Sequence, residues 1–458
     1  SAEDRICDME CHGMPTRRSF LSSVGAASAG IMLAPSIRAA DPKGERNRKR
    51  DQAWDDAQDR INKYRKGPCS IRPVSPDGGR LPAGTAIKIA QQKHQFLFGC
   101  NIFELNRCRT ERDNALYAER FAALLNFATL PFYWWTYERR RGAPADRATT
   151  ECAEWCRSHG IKTKGHPLAW NFVDPPWMRG VADPDVMPLQ ISRIGECVSK
   201  FKGTINIWDV VNEATHYDRE ETKQNAPKLS GAIERAGVGE YLRQAFHAAR
   251  GANDAATLII NDYRTDAQYE SRVLSELANP PQGPAYDVIG LQSHMHGGLW
   301  PAGKTWEVCE RFSKYKTPLH FTETTIVSGP KTPAGWQTTP EGEDRQAAGV
   351  VEFYTLLFSH PAVRAVTWWD FSDQNAWQGA PAGLLRHDMS PKPAYDALVD
   401  LIKNKWWTRT ETRITADEKV GFDGFFGDYM ISAESNGRRL TGRFAHTAEG
   451  KTQDVRIS

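Results

Sequence analysis

Eight short apolar runs, each followed by a loop and an amphipathic stretch, succeed one another from residue 96 onward, and nothing else restricts the fold so strongly. The runs are FLFGCN (96–101), FATLPF (127–132), TKGHPLAW (163–170), INIWDVVNE (205–213), TLIINDY (257–263), DVIGLQSH (287–294), LHFTET (319–324) and AVTWWDF (365–371). Between them lie stretches such as RDNALYAERFAALL, LQISRIGECVSKF, YLRQAFHAARGAN and RQAAGVVEFYTLLFSH, where apolar residues recur at i, i+3 and i+4. Near-continuous apolar strands alternating with helices predict a parallel sheet covered on its outer face. Eight such units over about 310 residues match an α/β chain of the (β/α)8 TIM-barrel type in number and size. A doubly wound open sheet is the rival, but it rarely needs eight repeats, and no glycine-rich phosphate loop follows the first run.

Active sites of such barrels sit at the C-terminal ends of the strands. Seven of the eight runs finish there on groups with chemistry: Asn101, His166 with Trp170, Asn212 with Glu213, Asn261 with Asp262 and Tyr263, Gln292 with His294, Glu323, and Trp369. Glu213 closes the fourth run and Glu323 the seventh. Two facing carboxyls are the equipment of glycoside hydrolysis, one protonating the leaving oxygen while the other attacks or guides water. Retaining chemistry sets them roughly 5–5.5 Å apart, inverting chemistry about 6.5–9.5 Å. The acid of such a pair keeps its proton near neutrality when burial and a neighbouring negative charge assist. Asn212 stands where it would hydrogen-bond a sugar hydroxyl beside the reacting carbon. A metal held by the two Glu is the competing chemistry, but the other strand ends do not supply acidic residues in suitable number.

Composition agrees with a sugar-handling protein. Lys+Arg 59 against Asp+Glu 56 leaves +3, too balanced for nucleic acid or a membrane surface. The 15 Trp carry flat apolar faces with one polar tip, suited to sugar rings as well as to cores. Nine Cys at irregular spacings complete no zinc pattern, and no metal or cofactor is called for.

The motifs WDVVNEA, GHPLAW, INDY, IGLQSH, HFTET, VTWWDFSDQNAW and LLRHDMSPKPAYDAL resemble, in order and spacing, the signature of glycoside hydrolase family 10, the endo-β-1,4-xylanases. The resemblance implies double displacement with retention, Glu213 acting as general acid/base and Glu323 as nucleophile. It implies that Asn212 contacts the sugar 2-hydroxyl and that His166, Trp170, Gln292 and His294 surround the −1 sugar. Trp369 and Trp377 match the aromatic walls of the cleft, and Asn261 and Tyr263 match a further strand-end pair. The implied partner is a polysaccharide, xylan or a related β-glycan, met by a monomer that neither binds nucleic acid nor inserts stably in a membrane.

One strand departs from the family. Where its second strand ends in a Glu-Asn pair and a Lys that grip sugars on the non-reducing side, this chain has Pro131, Phe132, Tyr133, Trp134 and Trp135. The family's GHTLVWH likewise becomes GHPLAWN, with Asn171 for a histidine. Arg139, Arg140 and Arg141 follow. They either meet an acidic decoration, such as the glucuronic acid of glucuronoxylan, through paired guanidinium–carboxylate contacts, or form a solvated helix face.

Outside the barrel (96–405) the chain divides into four stretches. Residues 1–40 hold TRRSFLSSVGAASAGIMLAPSIRAA, which resembles a twin-arginine export signal cut near Ala39 or Ala40, with Met14 just before it. A membrane anchor is the alternative, though the apolar stretch is shorter than the roughly 18 residues a span requires. A bacterial protein exported to the periplasm or beyond is expected. Residues 41–66 read as charged linker and helix. Residues 67–95 and 406–458 alternate as strands do and are expected to pair, either binding carbohydrate or bracing the barrel.

Three functions fit these observations: an exported retaining hydrolase cleaving internal bonds of xylan or a decorated xylan, the same mechanism on another plant or algal β-glycan, or a barrel that binds glycan without cleaving it.

Overall fold

The computed structural model describes residues 53–75, 77–278, 283–435, 437–450 and 452–458, so the twin-arginine stretch lies outside the described residues. A helix at Ala57–Tyr64 leads into β1 (Lys66–Val74) and β2 (Ala86–His94). Then come β3 (Leu97–Asn101), β4 (Phe127–Pro131), β5 (Lys162–His166), β6 (Ile207–Asn212), β7 (Thr257–Asp262), β8 (Val288–Met295) and β9 (Leu319–Ile326). A hairpin of β10 (Lys331–Thr332) and β11 (Gly335–Trp336) precedes β12 (Val363–Trp368). Strands β3 to β9 and β12 close into one parallel barrel in the order β12-β3-β4-β5-β6-β7-β8-β9. Each apolar run lies on one of these strands, and the chain forms the expected (β/α)8 barrel.

Burial explains the pattern. Strands β3 and β9 are buried at every position, which suits runs without polar alternation. The helix Val238–Ala252 buries Leu242, Ala245, Phe246 and Ala249 as one stripe, and Pro340–Ser359 buries Val350, Phe353, Tyr354 and Leu357. Each large side chain buried this way stabilises by about 1.5–3 kcal/mol. Thr110 and Thr339 cap helices at Glu111–Leu124 and Pro340–Ser359 by accepting from the backbone N–H of Asp113 and Gly342.

The chain continues through β13 (Arg409–Arg413), β14 (Val420–Phe425), β15 (Gly427–Ser435), β16 (Arg438–His446) and β17 (Gln453–Arg456). β1 lies between β14 and β17, and β2 between β13 and β15, so chain segments from before and after the barrel share two small sheets. Their common core includes Ile71, Ile87, Ile89, Val420, Ile431, Phe444 and Val455. Phe425 and Tyr429 are buried, Phe422 packs against that core, and Phe426 lies half-buried 5.0 Å from the ring of His446. These aromatics are engaged in packing. Asn126, which precedes β4, donates through Nδ2 to the carbonyls of His94 and Phe96, so the small sheets adjoin the N-terminal ends of the barrel strands. A cavity of about 220 Å³ at that junction, lined by Lys93, His94, Lys162 and His446, is at the opposite end from the strand-end carboxylates. No helix among the described residues is long and apolar enough to cross a membrane.

Candidate active site

Glu213 follows the last residue of β6 with φ +56° and ψ 36°, a left-handed conformation uncommon outside glycine. Such a backbone costs about 1–3 kcal/mol and persists only where its surroundings fix it. The end of β7 does so. Glu213 N–H donates to Asn261 O, and Thr215 N–H to Asp262 Oδ2, each at 2.9 Å. Burial pushes the Asp262 carboxyl up to about 7 against its two backbone hydrogen bonds, and the charge of Glu213 adds to the rise.

The two carboxyls belong to one network of amides. Gln292 Nε2 donates to Glu213 Oε1 and to Asn212 Oδ1, both at 3.2 Å. Asn261 Nδ2 donates to that same Asn212 oxygen at 2.8 Å and to Glu323 Oε1 at 2.9 Å. Thr322 Oγ1 donates to Asn261 Oδ1 at 2.5 Å and sets which way this amide faces. Gly290 on β8 leaves room for it, because a Cβ there would stand 2.5 Å from Asn261 Oδ1. Glu213 and Glu323 are only 8% and 4% exposed, so the network works where water does not compete.

Glu323 is also held by two imidazoles. His294 Nε2 lies 3.0 Å from Oε2, with its Nδ1 anchored 2.9 Å from Thr325 Oγ1, and His166 Nε2 lies 3.7 Å from Oε1. Burial alone would raise the pKa of Glu323. The electrostatic attraction of His166, the His294 hydrogen bond and Lys164 outweigh it, and the carboxyl is held below its ordinary range. Behind His166 stands a buried group: Asp209 Oδ2 meets His166 Nδ1 at 2.7 Å and Lys164 Nζ at 2.6 Å. Lys164→Met would leave the Asp209 charge without its ammonium partner at a site 0% exposed. It is expected to lower the unfolding free energy by about 3–5 kcal/mol, read from urea denaturation. A loss within ~0.5 kcal/mol would contradict a charged pair there.

The remaining expected residues surround this centre. Trp369 packs edge-on against His166 and His294, at 5.4 and 5.8 Å, and Trp377 lies 4.5 Å from His294. Asp370 Oδ1 accepts from Trp377 N–H at 3.0 Å and fixes that loop. Trp170 stacks on Phe172 at 4.3 Å. Tyr263 stands on the flank of Glu213, its hydroxyl bonded to His216 and Arg219. Arg139, Arg140 and Arg141 are exposed and lie outside regular helix, with Arg141 5.5 Å over the ring of Trp177.

Several participants were not singled out from the sequence. Lys164 lies two residues before His166 on β5, so strand alternation puts both on one face, and His296 sits in the turn just past β8, its ring 5.9 Å from that of His294. His296 joins Trp377 at 5.0 Å and Trp336 at 5.9 Å, the latter carried by the β10–β11 hairpin, which has no sequence signal. Among the described residues no cluster of three or more His, Cys, Asp or Glu side chains is arranged to hold a metal ion.

A family model, Glycosyl hydrolase family 10, matches residues 90–401. The anti-sigma-I factor RsgI6 of Acetivibrio thermocellus is 26% identical over 402 residues, covering 86% of this chain and 48% of its own length. Endo-1,4-beta-xylanase 3 of Hypocrea jecorina is 28% identical over 276 residues, 59% of this chain and 73% of that protein. Endo-1,4-beta-xylanase 5 of Arabidopsis thaliana is 25% identical over 329 residues, 69% of this chain and 52% of that one. The chain thus spans about half the length of two of these relatives. Xylanase 10B of Thermotoga petrophila RKU-1, solved with xylobiose, has a TM-score of 0.57 at 24% identity, over 68% of this chain and 95% of that one. That likeness is one of fold.

Proposed function

This chain belongs to glycosyl hydrolase family 10, and from that premise we propose that it is an exported retaining glycosidase cleaving internal β-1,4-xylosidic bonds of xylan or a decorated xylan. In this reading Glu213 gives its proton to the leaving oxygen while Glu323 attacks the anomeric carbon, forming a glycosyl ester. Glu213 then takes a proton from water as the water displaces Glu323 and regenerates it. The amide of Gln292 holds Glu213, and in this reading Asn212 and Gln292 meet sugar hydroxyls. The observation that carries the proposal is the pair of buried carboxyls on one amide network, one of them stabilised in its charged form. The xylanases among the relatives support the choice of glycan, and the twin-arginine stretch supports export.

Product analysis on xylans, β-glucans and mannans tests it. Xylo-oligosaccharides released from xylan are expected; products from another glycan alone would keep the mechanism and replace the substrate. A second reading has its own observation, since one relative is named as an anti-sigma factor. If this barrel binds glycan without cleaving it, none of these substrates gives product, while binding is retained.

The pH profile carries a further expectation. Glu323, held below the ordinary carboxylate range, is charged at neutral pH, and kcat/KM falls as pH drops through that lowered value. Stability has the same sign: Glu323 contributes above its unfolded pKa of about 4.3, and the contribution is lost as pH falls through the folded one. His294→Ala removes a hydrogen bond that favours the charged form, so the acidic limb is expected to move to higher pH. An unmoved limb would show that His294 does not act on Glu323.

A further inference from the structure

The mouth of the barrel is chemically lopsided. The Glu213 flank carries ionisable groups: His216 and Arg219 on Tyr263, Arg264 paired with Asp266, and Arg272 paired with Asp218. The Glu323 flank carries rings. Tyr133 lies edge-on to His166 at 5.5 Å and 5.1 Å from Trp135, which is 5.9 Å from both Trp170 and Phe172. Trp135, Trp170 and Phe172 are each partly exposed. Two polar side chains of the same segments turn elsewhere. Asn171, between two wall residues, is buried and donates to Tyr217 O at 2.8 Å and Ser230 Oγ at 2.9 Å. Glu138 accepts from Trp134 Nε1 at 2.8 Å and from Gly142 N–H at 2.6 Å.

Resting on the glycosidase reading, we propose that Trp135, with Phe172 and Trp170, is a stacking subsite for the next sugar on the glycone side, taking the apolar face of a neutral pyranose. The resemblance set Trp170 beside the reacting sugar, and here it packs with these two rings. The glycone stays joined to Glu323 in the intermediate while the leaving group departs past Glu213, so the flank beside Glu323 and away from Glu213 holds the glycone. Flat rigid rings offer contact area at small cost in side-chain entropy. A site that hydrogen-bonds a hydroxyl rejects its analogue by roughly 10⁴–10⁵-fold, whereas an apolar surface discriminates by only about 10–200-fold. The wall therefore imposes little hydroxyl-by-hydroxyl selection on that sugar.

The test compares 4-nitrophenyl β-xyloside with 4-nitrophenyl β-xylobioside. Trp135→Ala is expected to lower kcat/KM on the xylobioside by about 10-fold or more, chiefly through KM, equivalent to about 1.4 kcal/mol. The xyloside rate should be unchanged, and Trp135→Phe should recover most of the loss. Equal loss on both substrates, or none on either, would overturn the subsite. Binding of xylo-, cello- and mannotetraose to Glu213→Gln protein, with and without Trp135→Ala, separates this inference from the reading beneath it. Trp135-dependent binding of cello- or mannotetraose with none of xylotetraose would retire xylan and keep the wall. Binding that Trp135→Ala never weakens would retire the wall.

Discussion

Glu323→Ala is expected to lower kcat on xylan by about 10⁴–10⁶-fold, the range seen when a covalent nucleophile is removed from an otherwise intact site. The residue does more than carry charge. It receives hydrogen bonds from Asn261 and His294 and stands within reach of His166, so its oxygens are oriented before substrate arrives. Removing it leaves a small cavity at a site where azide or formate would meet the same donors. Either anion is expected to restore turnover of an activated aryl glycoside, and azide to give a product of inverted anomeric configuration. Restored rate with that product identifies a lost nucleophile. Loss without rescue, in a protein whose thermal unfolding is unchanged, would mean that Glu323 acts some other way.

Glu213→Ala is the second large effect, and its size depends on the leaving group. A positioned general acid contributes about 10²–10⁴-fold where the departing oxygen needs a proton. Xylo-oligosaccharide hydrolysis should fall by that factor. A 2,4-dinitrophenyl glycoside needs no proton to depart, so its first step should survive while the second, lacking a base, becomes slow. A burst of dinitrophenolate followed by slow turnover is the expected trace, and the basic limb of the pH profile should vanish. Equal losses with good and poor leaving groups would argue that Glu213 holds the site together rather than donating a proton.

The barrel was legible because its strands are buried on both faces and leave uninterrupted apolar runs, a pattern that survives without knowledge of contacts. Glu213 and Glu323 were legible for the converse reason, as charged side chains at the ends of such runs. What the sequence hides is the company each residue keeps. Thr322 orients Asn261 across the barrel, and the vacancy at Gly290 admits that amide, yet neither is marked by residue type. Lys164 and Asp209 look like ordinary polar interruptions until β5 and β6 are side by side. The aromatic replacement at residues 131–135 was visible as a departure but not as a shape. Only Tyr133 and Trp135 of that run join the wall, while Phe132 sits in the core against Trp208 and Trp134 packs under Arg193.

The central claim is that Glu323 becomes covalently bound to sugar on a path that retains configuration. Incubation with a 2-deoxy-2-fluoro-β-xylobiosyl fluoride, followed by peptide mass spectrometry, tests it most directly. The account predicts a single glycosyl adduct on the peptide containing Glu323, absent from Glu323→Ala protein. An adduct on another residue, or product of inverted configuration with no adduct at all, would contradict it.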